Sequence, residues 1–248
     1  LGGGVDYVTF VPDGEPLLDK NLGLEIEGIK REVDIPIGVL TNASLLYLED
    51  SRADLMLADL VSVKVDAILE GTWRRVNRPH PRLRFEKVLE GIKEFSKVFR
   101  GKLITETMLV KGINDNLEEL ENLATFIKEL KPFKAYIAIP IRPPAEAFVE
   151  PPQPQKLVEA YEVFTRHLGK GNVELLNLPE PPPNIIHGDP VSWLLSITSV
   201  HPLRVDYALK ILGRLMKNPE ELIARLESEG LIKIIEYSGS NFIIRWWR

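Results

Sequence analysis

Short apolar runs rich in β-branched and aromatic residues recur along most of this chain, and segments of helical periodicity separate them. That alternation constrains the fold more than any other feature, because strands that alternate with helices pair most readily as parallel βαβ units. The runs are Asp6–Val11, Ile35–Leu40, Leu60–Val65, Lys102–Val110 and Ala135–Pro140, with a last, peripheral one at Val173–Leu178. The first reads as a strand buried on both faces. Helices are predicted over Asp19–Val33, Glu49–Leu57, Arg82–Phe99, Leu117–Leu130 and Gln155–Leu168, with Asn114 or Asp115 capping the fourth. The segment after Val65, which contains Trp73, Val76 and Asn77, reads as a polar connection. The expected fold is α/β: five such units make an open, incomplete barrel over 1–178.

Three successive strand ends carry polar groups. The first opens into Asp13-Gly14-Glu15-Pro16, the second into Thr41-Asn42, and the third holds Lys64 and Asp66. Parallel α/β folds bind ligands at the carboxyl ends of their strands, so the three ends suggest one shared site. The plain alternative is that these groups cap the following helices, although Glu15 and Lys64 are poor N-caps. Lys64 and Asp66 fall on one face of an alternating strand, where a structural ion pair is also possible. Arg78 and His80, on a loop after the third strand, and Arg142, just past the fifth, are candidate substrate contacts. The four histidines show no metal-ligand spacing.

The series Asp6–Phe10 with Asp13-Gly14-Glu15-Pro16, then Val39–Ser44, Val61–Ala67 with Trp73–His80, and Thr105–Asp115 resembles the radical S-adenosylmethionine (SAM) superfamily. It is most similar to a largely archaeal and bacterial branch related to the molybdenum-cofactor cyclisation enzymes. Gly14-Glu15-Pro16 stands where the family has Gly-Gly-Glu, with Asp13 in place of the first Gly. The resemblance implies a partial (β/α)6-type open barrel that lacks its first, N-terminal unit in this chain, and SAM and a [4Fe–4S] cluster as cofactors. It also implies an enzyme in which the reduced cluster cleaves SAM to a radical that abstracts a substrate hydrogen. The cofactor residues would be Gly14, Glu15, Pro16, Thr41, Asn42, Lys64, Asp66, Glu106 and Pro140. Here Glu15 would accept from the SAM ammonium; Ile139, Pro140 and Ile141, read from the residues themselves, either wall the adenine or simply join the core. The family's Cys-x3-Cys-x2-Cys loop is absent, and the chain has no cysteine. With no initiating Met and a strand near the start, the cluster ligands are expected on an N-terminal segment missing from this chain, which would be inactive alone.

Prolines at 179–190 mark a stiff linker, and 191–248 reads as helices followed by a hairpin, a winged-helix-like module. The tail is mildly basic and the main body acidic, for a net charge of −5. That balance argues against a whole surface built for nucleic acid, and confines any nucleic-acid contact to the tail. The rival reading is a non-catalytic α/β ligand sensor controlling that module. No apolar run is long enough to span a membrane, no signal peptide is visible, and the lack of cysteine fits a cytoplasmic protein. Neither the substrate nor the oligomeric state has a signature in these residues.

Overall fold

The computed structural model describes residues 5–11, 14–178 and 189–246. It divides into two compact units, Leu1–Ile139 with Val149–Asn177, and Pro140–Phe148 with Leu178–Arg248. The boundary runs differently from the sequence expectation, because the proline-rich segment after the fifth strand groups with the C-terminal residues. Most of the expected linker lies outside the described residues, as does Asp13.

The first unit runs β1 (Val8–Phe10), a 3₁₀ turn (Pro16–Leu18), α1 (Leu22–Glu32), β2 (Ile37–Thr41), α2 (Glu49–Leu55), β3 (Leu60–Lys64) and α3 (Glu70–Asn77). It continues with α4 (Phe85–Val98), β4 (Lys102–Met108), α5 (Leu117–Leu130), β5 (Lys134–Ala138), α6 (Pro154–Leu168), a second 3₁₀ turn (Lys170–Asn172) and β6 (Val173–Leu176). The six strands form one sheet in chain order, β1 to β6, with every pairing parallel.

Period-two alternation sorts the side chains of this sheet. Ile37, Val39, Val61, Val63, Leu103, Ala135 and Ile137 join the apolar stripes of the helices in one core, among them Leu22 and Ile26 of α1, Phe95 of α4 and Leu123 of α5. Burying each large apolar side chain of this set contributes about 1.5–3 kcal/mol. The other alternation class includes Ser62, Lys64, Glu106 and Tyr136, with Lys64 opposite Glu106 and Glu106 opposite Tyr136.

Three local expectations are corrected. β1 is not buried on both faces: Thr9 is exposed and its neighbours half-buried, because among the described residues β1 pairs only with β2. The stretch after β3 folds into α3, whose one buried residue, Trp73, packs on Phe85 with ring centroids 5.2 Å apart. The cap of α5 is Asn116, whose side chain accepts from the Glu119 N–H at 3.0 Å. Asn114 instead braces the backbone after β3 and β4.

The second unit contains α7 (Pro190–Val200), β7 (Leu203–Arg204), α8 (Val205–Leu212), α9 (Pro219–Ser228), β8 (Ile232–Tyr237) and β9 (Ser240–Arg245). Its antiparallel sheet has the order β7-β9-β8, and Trp193, Leu194, Ile211, Leu226 and Ile243 form its own core. Ser238 and Gly239, at φ 48° and 74°, make the two-residue turn between β8 and β9, where positive φ at both positions matches the strand twist. The Tyr237 hydroxyl donates to the Pro140 carbonyl at 2.9 Å, which ties the 140–148 segment to this hairpin.

Candidate functional site

A cavity of about 620 Å3 lies beyond the carboxyl ends of β1, β2 and β3. It is lined by Glu15 after β1, Asn42 after β2, Lys64 to Ala67 at the end of β3, residues of the α3–α4 connection, and Val88 and Ile92 of α4. Leu45, Tyr47, Trp73 and Leu83 give it apolar and aromatic walls. Such a mix of apolar wall and few polar groups suits a small organic ligand.

Glu15 is 9% exposed and joins two strand ends. Its Oε1 accepts from the Thr41 hydroxyl and from the Leu17 N–H at 3.2 Å, and its Oε2 accepts from the Asn42 N–H at 2.7 Å. The Leu17 bond makes Glu15 the N-cap of the 3₁₀ turn, a role its long side chain made unexpected. Burial pushes its pKa up, against the pull of these three donors. The Thr41 hydroxyl also accepts from the Ala43 N–H at 3.0 Å, and Ala43 is held at φ 62°, fully buried.

Lys64 stands between two carboxylates, 3.0 Å from Glu106 Oε1 and 3.9 Å from Asp66 Oδ1. Desolvation pulls its pKa down, but the two carboxylates outweigh that and raise it, so Lys64 remains an ammonium rather than a nucleophile. Asp66 is 2% exposed. It accepts from the Met108 N–H and from the Asn77 amide, both at 2.7 Å, and burial raises its pKa against these partners and Lys64. Asn114 closes the same corner: its amide donates to the Asp66 and Met108 carbonyls and its oxygen accepts from the Val110 N–H, each at 2.8 Å.

A second buried carboxylate holds the far end of α3. Glu119 of α5 accepts from the Ile68 N–H at 3.3 Å and from the Thr72 hydroxyl at 3.2 Å, and burial raises its pKa. The stability it contributes is therefore present below the ordinary glutamate range and lost as pH rises through its elevated folded pKa. A glutamine there can still accept from Ile68, and its amide can donate to Thr72. Glu119→Gln is accordingly expected to gain on the parent as pH rises from about 4 to about 7. Urea midpoints of the two chains across that range check this, and a difference that stays flat with pH refutes it.

The structure thus brings Glu15, Asn42, Lys64, Asp66, Arg78 and His80 to one cavity. Thr41 and Glu106 reach it only through Glu15 and Lys64. Gly14 is exposed, and a Cβ built there meets nothing within 4 Å, while Pro16 is buried at the start of the 3₁₀ turn. Pro140 and Arg142 belong to the second unit. Tyr47, Trp73 and Asn77 also line the cavity without having been singled out as site residues. Trp73 and Asn77 lay in view beside Arg78, whereas nothing in the local sequence distinguishes Tyr47. Among the described residues no group of three or more His, Cys, Asp or Glu side chains is arranged to hold a metal ion, and no helix is long and apolar enough to cross a membrane.

Comparison with known proteins agrees with this architecture. The family model of the radical SAM superfamily matches residues 2–127. The UPF0026 protein MJ1312 of Methanocaldococcus jannaschii is 40% identical over 241 residues, 97% of this chain and 74% of the relative. The UPF0026 protein slr1464 of Synechocystis is 37% identical over 139 residues, 56% of this chain and 52% of that relative, so this chain spans only part of either protein. Among solved structures, a radical SAM methyltransferase from Sphaerobacter thermophilus superposes with a TM-score of 0.56 at 15% identity, over 71% of this chain and 52% of the other. SuiB of Streptococcus suis, bound to S-adenosylmethionine, gives 0.50 at 18% identity, over 70% of this chain and 39% of the other. At these identities the two structures speak for the fold alone; the family model and the archaeal relative carry the kinship, and this chain belongs to the radical SAM superfamily.

Proposed function

We propose that the first unit binds SAM in the cavity beyond β1 to β3 and forms the SAM-holding part of a radical enzyme. The observation that carries this reading is the Glu15 carboxylate. It lines the cavity, and among the described residues its Oε2 takes a single donor, the Asn42 N–H, which leaves acceptor capacity for an ammonium group. Asn42 and Lys64 add polar contacts, and Leu18, Leu45 and Tyr47 offer apolar surface. SAM, when bound beside a reduced [4Fe–4S] cluster, supplies hydrogen-abstracting chemistry, and the chain's own residues orient it and exclude water.

The residues of this chain do not fit the cluster itself. Such clusters are held by cysteine thiolates, and the chain has none. In this reading the thiolates come from outside the present sequence, and the chain alone has no SAM-cleaving activity.

The second unit we read as winged-helix-like, on the order α7–β7–α8–α9–β8–β9 with β7 paired to β9. Residues 1–178 then form the partial barrel, 179–190 the linker and 191–248 the winged helix, with the 140–148 segment held by the latter.

Titration calorimetry with SAM tests the central claim. The parent chain is expected to bind, and Glu15→Ala to weaken binding by at least about tenfold, since a charge-assisted hydrogen bond contributes about 1.5–3 kcal/mol. Equal affinity in the two chains would remove Glu15 from the site.

A further inference from the structure

The cavity sorts its lining by charge. Glu15, Asn42, Lys64 and Asp66 stand at the strand ends, whereas Trp73 of α3, Leu83 before α4, and Val88 and Ile92 of α4 make an uncharged side. The turn after β2 joins the two sides: it leaves the strand ends at Asn42 and meets α4 at Leu46 and Tyr47, where Gly91 lies against its backbone. Arg78, His80 and Arg82 line the cavity from the loop between α3 and α4, and all three are exposed.

The uncharged side is cut from the core itself. Trp73, Val88 and Ile92 belong to the main apolar core, and Leu83 packs against it. Core side chains normally interlock and leave few voids larger than a water molecule. An apolar wall that faces open volume forfeits dispersion contacts, so unsupported walls close in. Here the walls are braced. Helix α3 is pinned at both ends, by Glu119 through the Ile68 N–H and the Thr72 hydroxyl, and by Asp66 through Asn77. Trp73 rests on Phe85 at the start of α4, and α4 is fixed by its main-chain contact at Gly91. Space held open between braced apolar walls is preorganised for an apolar guest.

The polar atoms at these walls are few. The Trp73 indole N–H and the Tyr47 hydroxyl have no hydrogen-bond partner among the described residues. The buried side-chain atoms left without a partner there are Asn77 Oδ1 and Thr105 Oγ1, so neither the indole N–H nor the hydroxyl is sealed off. A flat ring with one acceptor on its edge suits such walls, since it stacks on aromatic faces and leaves little polar surface unpaired. Adenine suits them less well: it carries hydrogen-bonding atoms around its whole edge, and most would be buried without partners.

We propose that this compartment takes a planar, largely hydrocarbon group of the substrate, an aromatic ring with an acceptor on its edge, while SAM holds the strand-end side. The proposal rests on the reading that the same cavity holds SAM. Adenine is itself planar, so the test separates the two sources. 2-Naphthol, a fused ring with one hydroxyl, is titrated into the parent chain with and without saturating SAM, and followed by the NMR signal of the Trp73 indole N–H. The titration is repeated on Val88→Phe, which puts a ring into the space, and on Leu83→Ala, which removes a wall. SAM affinity is measured on all three chains by calorimetry. 2-Naphthol should bind the parent, move the Trp73 signal, and keep its affinity within about twofold when SAM is saturating. It should bind Val88→Phe at least about tenfold more weakly and Leu83→Ala at least about threefold more weakly, with SAM affinity within about twofold throughout. Val88→Phe should melt at or above the parent temperature, as cavity-filling changes do, and Leu83→Ala decides the matter if that chain fails to fold. Failure of 2-naphthol to bind the parent, an unmoved Trp73 signal, or equal binding by the parent and the folded variants overturns the proposal. Displacement of 2-naphthol by SAM, or SAM affinity that falls with 2-naphthol affinity, also overturns it and assigns the compartment to adenine. Failure of the SAM reading itself shows elsewhere, as a Glu15→Ala chain that binds SAM like the parent.

Discussion

Gly91→Ala is expected to destabilise the first unit by about 1–3 kcal/mol, although alanine is the better helix residue by about 1 kcal/mol. Gly91 is buried in α4, where the helix lies directly against the backbone of the turn after β2. A Cβ there would sit 2.5 Å from the Leu46 carbonyl carbon and 2.8 Å from its oxygen, and closer still to the Tyr47 nitrogen. These are main-chain atoms, so no side-chain rotation opens the space, and helix and turn have to separate. The same contact shapes the cavity, because Val88 and Ile92 line it from α4 and Leu45 and Tyr47 from the turn. SAM affinity should therefore fall together with stability. Gly71 is the control: it lies exposed on α3 with nothing within 4 Å of a built Cβ, so Gly71→Ala should be neutral or mildly stabilising. Urea unfolding of both variants measures the contrast, and equal midpoints would rule out the close approach.

The parallel sheet was legible because hydrophobic period is a local signal: strands and helices of the first unit fall within a few residues of their expected limits. What failed was information that resides in tertiary context. Val8, Thr9 and Phe10 have the composition of a central strand, but burial depends on neighbours that the local pattern does not name. In α3 a single buried Trp73 anchors eight residues whose one other large apolar side chain is Val76 and which include Gly71, so no stripe announced the helix. The strand-end polar residues were legible as a set because parallel topology brings strand ends together. Glu15, Asn42, Lys64 and Asp66 meet for that reason, whereas Pro140, close past the end of β5, groups with the C-terminal unit through Tyr237. Capping was read too simply. Glu15 caps a 3₁₀ turn and lines the cavity at once, so the structural and ligand-binding readings of that residue were never exclusive.

Removal of the Asp66 carboxylate should be the most damaging single change to the site. Asp66→Ala leaves the Met108 N–H and the Asn77 amide without their acceptor in a buried corner and takes one carboxylate from Lys64. Breaking a buried charge network from one side costs about 3–5 kcal/mol. It also frees the end of α3 that leads into Arg78, so ligand binding should weaken beyond what the global stability loss implies. Asp66→Asn is expected to be much milder, at about 1–2 kcal/mol. An asparagine at 66 can keep one oxygen on the Met108 N–H, but its amide then faces the Asn77 amide, donor against donor. Asn77 can resolve this by rotating its side-chain amide half a turn, because its Oδ1 is buried without a hydrogen-bond partner and is free to become the acceptor. Lys64 keeps Glu106 at 3.0 Å, so its charge stays matched. Urea unfolding of the two variants separates the contributions. A large gap between them means that hydrogen bonding to the Met108 and Asn77 donors holds the corner. An Asp66→Asn chain as unstable as Asp66→Ala means instead that the negative charge beside Lys64 does, and that amide rotation cannot replace it.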